Sequence, residues 1–284
     1  MLMTVKFYMS FKCESLGSEL NQVKARLEEC VSMVKNWMTS NLLKLNDKKT
    51  EMLIVHSSKL SHCIPENTNI RVGSSSVGTA ESVRNLGTMF DCNFTMEKNI
   101  NRVIKTSFGN IKKIYKMRKY ITIDATKLLA INLILSHLDY TNSLYQGLPK
   151  SCIKRLQRVQ NAAARMVFNV SRDSDASELI AKLHWLPVNR RIEYKVLVLI
   201  YKAITGQAPK YISNMLIPYR PPRPLRSEEQ RKLVPGKGIN VRISRRRFSC
   251  AGPELWNALP LQIRLAQTVS SFKKQLKTHL FRLQ

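Results

Sequence analysis

Trp37-Met-Thr-Ser-Asn-Leu-Leu-Lys-Leu-Asn-Asp-Lys-Lys-Thr-Glu-Met-Leu-Ile-Val55 changes its periodicity half-way, and that change decides the fold. Before it, Leu20, Val23, Leu27, Cys30, Val31, Val34, Trp37 and Met38 recur at three- and four-residue steps, which predicts a helix over 18–40 with one buried face. After Asn46 and Asp47, Met52-Leu-Ile-Val55 is a short apolar run, which predicts a strand over 51–56 in a sheet with covered faces. Lys44, Lys48 and Lys49 stand at the junction. A small sheet beside a helix makes the first third α+β.

Upstream, Val5, Phe7, Met9 and Phe11 alternate with Lys6, Tyr8 and Ser10, the period of a strand over 3–11. Downstream, Ile70-Arg-Val72 and Ser82-Val-Arg-Asn-Leu86 read as strands bracketing Gly73-Ser-Ser-Ser-Val-Gly78, a hairpin turn. That cluster lacks the G-x-x-x-x-G-K-[ST] spacing of a phosphate loop. From Thr95 the chain turns helical. Ile100, Val103, Ile104, Phe108, Ile111, Ile114 and Tyr115 mark an apolar face, and Lys98, Arg102, Lys105, Lys112, Lys113 and Lys116 crowd the others. A second helix, from Ala125 to about Leu138, is apolar nearly all round and suits capping by Asp124. A third opens at Pro149 and Ser151, with Leu156, Val159, Gln160 and Ala163 inward and Lys154, Arg155, Arg158 and Arg165 outward. Pro187 starts a helix that runs to Ile204, and Gly206 ends it. Prolines 209, 218, 221, 222 and 224 stiffen a linker, Trp256 and Leu259 dock a short helix, and an amphipathic helix over 270–283 closes the chain.

The 284 residues are 44% hydrophobic, enough for one large or two modest cores. Net charge is +28 and unevenly spread: residues 1–91 carry 11 Lys+Arg against 9 Asp+Glu, residues 92–284 carry 36 against 10. So basic a remainder favours a polyanionic partner, because lysines and arginines displace counterions condensed on phosphates. Residues 219–248 hold ten Lys+Arg and two Glu. Arg245-Arg246-Arg247 within them suits a nucleic-acid anchor, and suits equally a solvated tract or nuclear-import signal. Six scattered cysteines without C-x-x-C spacing write no zinc knuckle or redox pair and fit a reducing, intracellular location, nuclear or cytoplasmic. No apolar run approaches the roughly 18 residues of a membrane helix, and the start lacks a cleavage site. Asp173 and Asp175 suit helix capping better than metal binding. His184 has no nucleophile or carboxylate at useful spacing.

Trp-Met-x-x-Asn-x-Leu-Lys-Leu-Asn-x-x-Lys-Thr-Glu, over residues 37–51, resembles the segment after the catalytic aspartates in reverse transcriptases of non-LTR, LINE-type retrotransposons, most of all the chicken-repeat, L2 and jockey group. Further stretches resemble the same family in the same order: Arg84-Asn-Leu-Gly-Thr-Met-Phe-Asp91, Ser136-His-Leu-Asp-Tyr140, Gly147-Leu-Pro149, Arg155-Leu-Gln-Arg-Val-Gln-Asn-Ala-Ala-Ala-Arg165, His184-Trp-Leu-Pro187 and Leu255-Trp-Asn-Ala-Leu-Pro260. Their joint order spans nearly the whole chain. The resemblance begins inside the polymerase, so the chain looks like its C-terminal portion.

The resemblance implies a partial palm with a primer-grip-like hairpin over 1–91, a helical thumb over 92–170, a helical connector over 171–217, and a basic Pro/Arg-rich linker with a C-terminal helix over 218–284. It implies template–primer contacts from Lys44, Asn46 and Lys49, from Leu86 and Gly87 at the primer grip (where a tight strand bend fits as well), from Lys105, Lys112, Lys113, Lys116, Arg155 and Arg158 on the thumb, and from Arg245, Arg246 and Arg247. Lys49 matches the lysine placed in that family as proton donor to pyrophosphate. The family binds Mg²⁺ through paired aspartates, whose positions fall here on Met3 and Thr4. A thioether and a hydroxyl do not hold Mg²⁺, so no bound cofactor is expected. The expected partners are RNA, DNA or an RNA–DNA hybrid, and no membrane. An interaction or structural module, with protein partners on an exposed apolar palm surface, is the rival expectation. An active polymerase would need those carboxylates supplied from elsewhere.

Overall fold

In the computed structural model the chain divides between Asn99 and Ile100 into two units, each with its own internal packing. Residues 5–10, 16–46, 49–57, 60–61, 64–65, 68–220, 231–236 and 246–283 are described. The fold is α+β, dominated by helices, with three two-stranded antiparallel ladders among the described residues.

The first unit is built on α1 (Leu16–Ser40). Leu20, Val31 and Met38 are buried, but Trp37, placed inward by its spacing, is 51% exposed. The reason is the size of what covers the helix: a cluster of Val31, Ile70 and Val72, flanked by Leu45, Met52 and Val77. The helix ends with Leu42 at φ +57° and the Leu43 N–H donated back to the Met38 carbonyl at 2.8 Å, a Schellman-type stop made without glycine.

Two separate hairpins follow. β1 (Asn69–Val72) pairs with β2 (Ser75–Gly78), so four of the six residues of the Gly/Ser cluster are strand rather than turn; only Gly73, at φ +63°, and Ser74 form the bend. β3 (Ser82–Asn85) pairs with β4 (Thr88–Asp91) through Leu86 and Gly87. Glu28 of α1 accepts the Arg71 N–H at 2.8 Å and ties the first hairpin to the helix.

The strand expected over 51–56 reduces to one parallel bridge, Met52 to Thr79, with the Ala80 N–H on the Met52 carbonyl at 2.8 Å and the His56 N–H on the Cys92 carbonyl at 2.9 Å. Each hairpin pairs only its own two strands, and beyond that bridge no strand among the described residues runs alongside 51–56. Residues 5–10 form no strand either, and Val5, Phe7, Tyr8 and Met9 are exposed; Met3, Thr4 and Phe11 lie outside the described residues. Asp91 closes the unit: its two carboxylate oxygens accept the Thr95 and Met96 N–H groups, each at 2.7 Å, at the start of α2 (Glu97–Met117).

The second unit is helical. α3 (Ile123–Ala130) is capped by Thr122, whose hydroxyl accepts the Ala125 N–H at 3.2 Å, and not by Asp124. It continues through a π-turn (Ile131–Leu135) into α4 (Ser136–Asp139). Asn110 of α2 donates to the Leu133 carbonyl in this turn at 2.7 Å. Leu128, Ile131 and Leu133 are exposed, so this segment is not central all round.

α5 (Lys150–Phe168), α6 (Ala176–Lys182) and α7 (Val188–Ile204) follow. Around α7 pack α8 (Lys210–Ser213), β5 (Ile217–Pro218) with β6 (Leu233–Val234), α9 (Phe248–Asn257), α10 (Leu261–Arg264) and α11 (Val269–Arg282). At the centre Tyr201 stacks on Phe272 at 4.3 Å, and Trp256 tilts against the same ring at 5.8 Å.

Candidate nucleic-acid interface

Several polar residues in the motif stretches of the second unit serve contacts within the fold. Gln160, fully buried, donates to the Leu186 carbonyl at 2.8 Å, and Gln157 accepts the Val188 N–H at 2.8 Å; together they hold the bend 184–188, where His184 sits at φ +54°. Asp139 takes a two-pronged hydrogen bond from Arg191, joining α4 to α7. Asn257 accepts from and donates to the backbone of Leu233 at 2.9 and 2.8 Å, and the Trp256 indole donates to the Arg231 carbonyl at 2.7 Å. The surfaces left over are the ones available to a partner.

On the first unit, Lys44 lines an open cavity of about 350 Å³ with Lys35, Thr39, Leu42, Leu43 and Leu45. The Asn46 carbonyl accepts the Lys49 N–H at 3.0 Å and the Thr50 hydroxyl at 3.4 Å, so Lys49 stands exposed on a tight turn outside that cavity. Lys48 lies outside the described residues. Leu86, at φ +46°, and Gly87, at φ +82°, form the tip of β3–β4, a turn of the type normally made by Asn-Gly. A leucine there carries a local cost of about 1 kcal/mol, and Leu86 is 73% exposed.

On the second unit, charge separates by position. Residues 100–284 hold 35 Lys+Arg against 9 Asp+Glu. Arg102, Lys105, Lys112, Lys113 and Lys116 fall within an arc of about 100° on α2, opposite its buried Val103, Ser107 and Ile114, along about 21 Å of helix. Lys105, Lys112, Lys113 and Lys116 are exposed, and among the described residues none has an ion pair. On α5, Lys154 and Arg158 are exposed as well.

Other expected cations are engaged. Arg155 donates to the Asn101 side chain of α2, and Arg165 donates twice to the Ser174 carbonyl. Arg118 grips the Met166 and Val167 carbonyls at the end of α5. Arg246 is half-buried against Gly147 and donates to the Leu144 carbonyl at 3.4 Å. Arg247 is exposed at the start of α9, and Arg245 lies outside the described residues. Burial pushes the Tyr194 phenol up and the Arg264 guanidinium down from their ordinary values, away from these faces.

Spacing alone put Phe108 and Tyr115 on the buried side of α2; they are 42% and 58% exposed, in the lane next to the lysines. Their seven-residue separation beside that lane is the signal that a helical projection carries.

Met3 and Thr4, where the resemblance places the Mg²⁺-binding aspartates, lie outside the described residues. Among the described residues no group of three or more His, Cys, Asp or Glu side chains is placed to hold a metal ion. Asp91 is committed to a helix start, Asp139 to Arg191 and Glu193 to Arg190. No helix among the described residues is long and apolar enough to cross a membrane. No protein-family model, curated protein or solved structure matches the chain.

Proposed function

We propose that this chain derives from a non-LTR retrotransposon reverse transcriptase and grips template–primer nucleic acid through its phosphates without extending it by itself. The observation that carries the binding half is the α2 face: four exposed lysines on one side of a helix, with no acidic residue between Lys98 and Ile123. Like charges held in a row repel one another, and a polyanion relieves that repulsion while releasing its own counterions. Phosphate contacts of this kind position a strand without reading its bases. The ordered series of family-like motifs supports the ancestry, and Met3 and Thr4 at the aspartate positions support the loss of chemistry.

Fluorescence anisotropy of the whole chain against a labelled RNA–DNA hybrid tests the binding. Affinity that falls steeply with salt is expected, and no binding at low salt overturns it. Primer extension with Mg²⁺ tests the other half: no product is expected, and chelator-sensitive nucleotide incorporation overturns it. A second reading, an interaction module, draws on the exposed Met33, Trp37, Leu42 and Leu43 at the end of α1. Protein partners that survive nuclease treatment in a pull-down, with no binding to hybrid, would favour it.

A further inference from the structure

We infer that the exposed face of α2 is a single-strand site, stacking unpaired bases on Phe108 and Tyr115 while Lys105, Lys112 and Lys116 hold the backbone beside them. This rests on the reading of α2 as a nucleic-acid face, and adds which form of nucleic acid that face takes.

The two rings lie seven residues apart, two helical turns or about 10.5 Å, in one lane along the edge of the lysine stripe. Neither ring has a stacking partner among the described residues, and each keeps about half its surface in solvent. Phe108 keeps 42% of its surface in solvent beside ammonium groups that have no ion pair among the described residues. A duplex cannot use it, because paired bases show only their edges in the grooves. A single strand can, since every unpaired base offers a π-face and its phosphates follow within reach of the neighbouring lysines.

At the end of the helix the pattern repeats. Tyr120, exposed, lies under the Lys119 ammonium at 4.8 Å from its ring centre. That pair shows the local geometry in which a cation and an aromatic face share one surface. Charge complementarity therefore chooses the occupant. An apolar peptide would cover the rings and leave the lysines repelling, whereas a polynucleotide satisfies both lanes.

The test uses the full chain and two probes of equal length, a labelled oligo(dT) strand and a labelled RNA–DNA hybrid, read by anisotropy at one salt concentration. Substituting Phe108→Ala and Tyr115→Ala together should lower affinity for the single strand about tenfold or more per ring, while hybrid affinity stays within about twofold. Lys112→Gln with Lys116→Gln should weaken both. Circular dichroism melting of each variant separates site loss from unfolding, and Phe108→Tyr should retain single-strand binding because it keeps the ring. Unchanged single-strand affinity in the double alanine variant overturns the inference, as does an equal loss on both probes. If the hybrid binds and the rings make no difference, the inference fails and the template–primer reading stands. If only the single strand binds, and binds through the rings, the template–primer reading fails and the inference stands.

Discussion

Gly147 and Arg246 are fitted to each other: a β-carbon on Gly147 would stand 2.8 Å from Arg246 Cγ, and the glycine holds φ +74°. Both conditions exclude a side chain. Gly147→Ala should destabilise the second unit by about 2–4 kcal/mol, a left-handed penalty added to overpacking. Urea unfolding measures it. In an Arg246→Ala background the clash disappears and only the backbone penalty of about 1 kcal/mol should remain. Additive losses would show that the close approach does not govern the site.

Arg191 grips Asp139 with two hydrogen bonds across α4 and α7. Asp139→Asn keeps the shape but removes the charge and one acceptor. Partial exposure of the carboxylate limits the loss to about 1–2 kcal/mol. Thermal melting should show the same shift for Arg191→Gln, and the double variant should cost little more than either single one. If the two losses sum, the pair is not coupled and the bridge is ornamental to stability.

Asn257 stands in for a neighbouring strand by pairing with both backbone groups of Leu233. Asn257→Ala should release β6, so the Leu233 amide exchanges with solvent at least tenfold faster while α7 amides keep their protection. Hydrogen exchange read residue by residue checks this. Slowed or unchanged exchange at Leu233 would mean that β5–β6 holds without the side chain.

How much of this was legible beforehand depended on whether an element's partner lies in its own sequence. α2, α5, α7 and α11 bury one continuous face, so their spacing alone located them. Gln160 was legible too, as the polar residue in an apolar lane, although its acceptor 26 residues away was not. Residues 5–10, and 51–56 beyond the Met52 bridge, form no ladder because a strand exists only if another backbone comes to meet it. Leu42 adopts a left-handed conformation for which glycine or asparagine is the usual signal, so nothing local announced that turn, whereas Gly87 marked the β3–β4 bend although Leu86 beside it is also left-handed. Phe108 and Tyr115 share the apolar arc by angle but sit at its edge, where the fold leaves them 42% and 58% exposed. The charge asymmetry was plain from composition, but which cations are free was not: Arg155 and Arg246 differ from Lys112 and Lys116 only in what the fold places beside them.

That last distinction yields the sharpest test of the basic face. Binding that displaces counterions gives a linear fall of log affinity with log salt, at a slope of about 0.9 per phosphate contacted. Lys105→Gln, Lys112→Gln and Lys116→Gln together should lower that slope by about 2–3 on an RNA–DNA hybrid, because these ammonium groups have no ion pair among the described residues. Arg155→Gln should leave the slope unchanged within error, because its guanidinium already serves Asn101. Arg155 therefore controls for mere loss of one positive charge. Equal slope changes per charge from the arginine and from the lysines would mean that only net charge matters, and that the arrangement on α2 selects nothing.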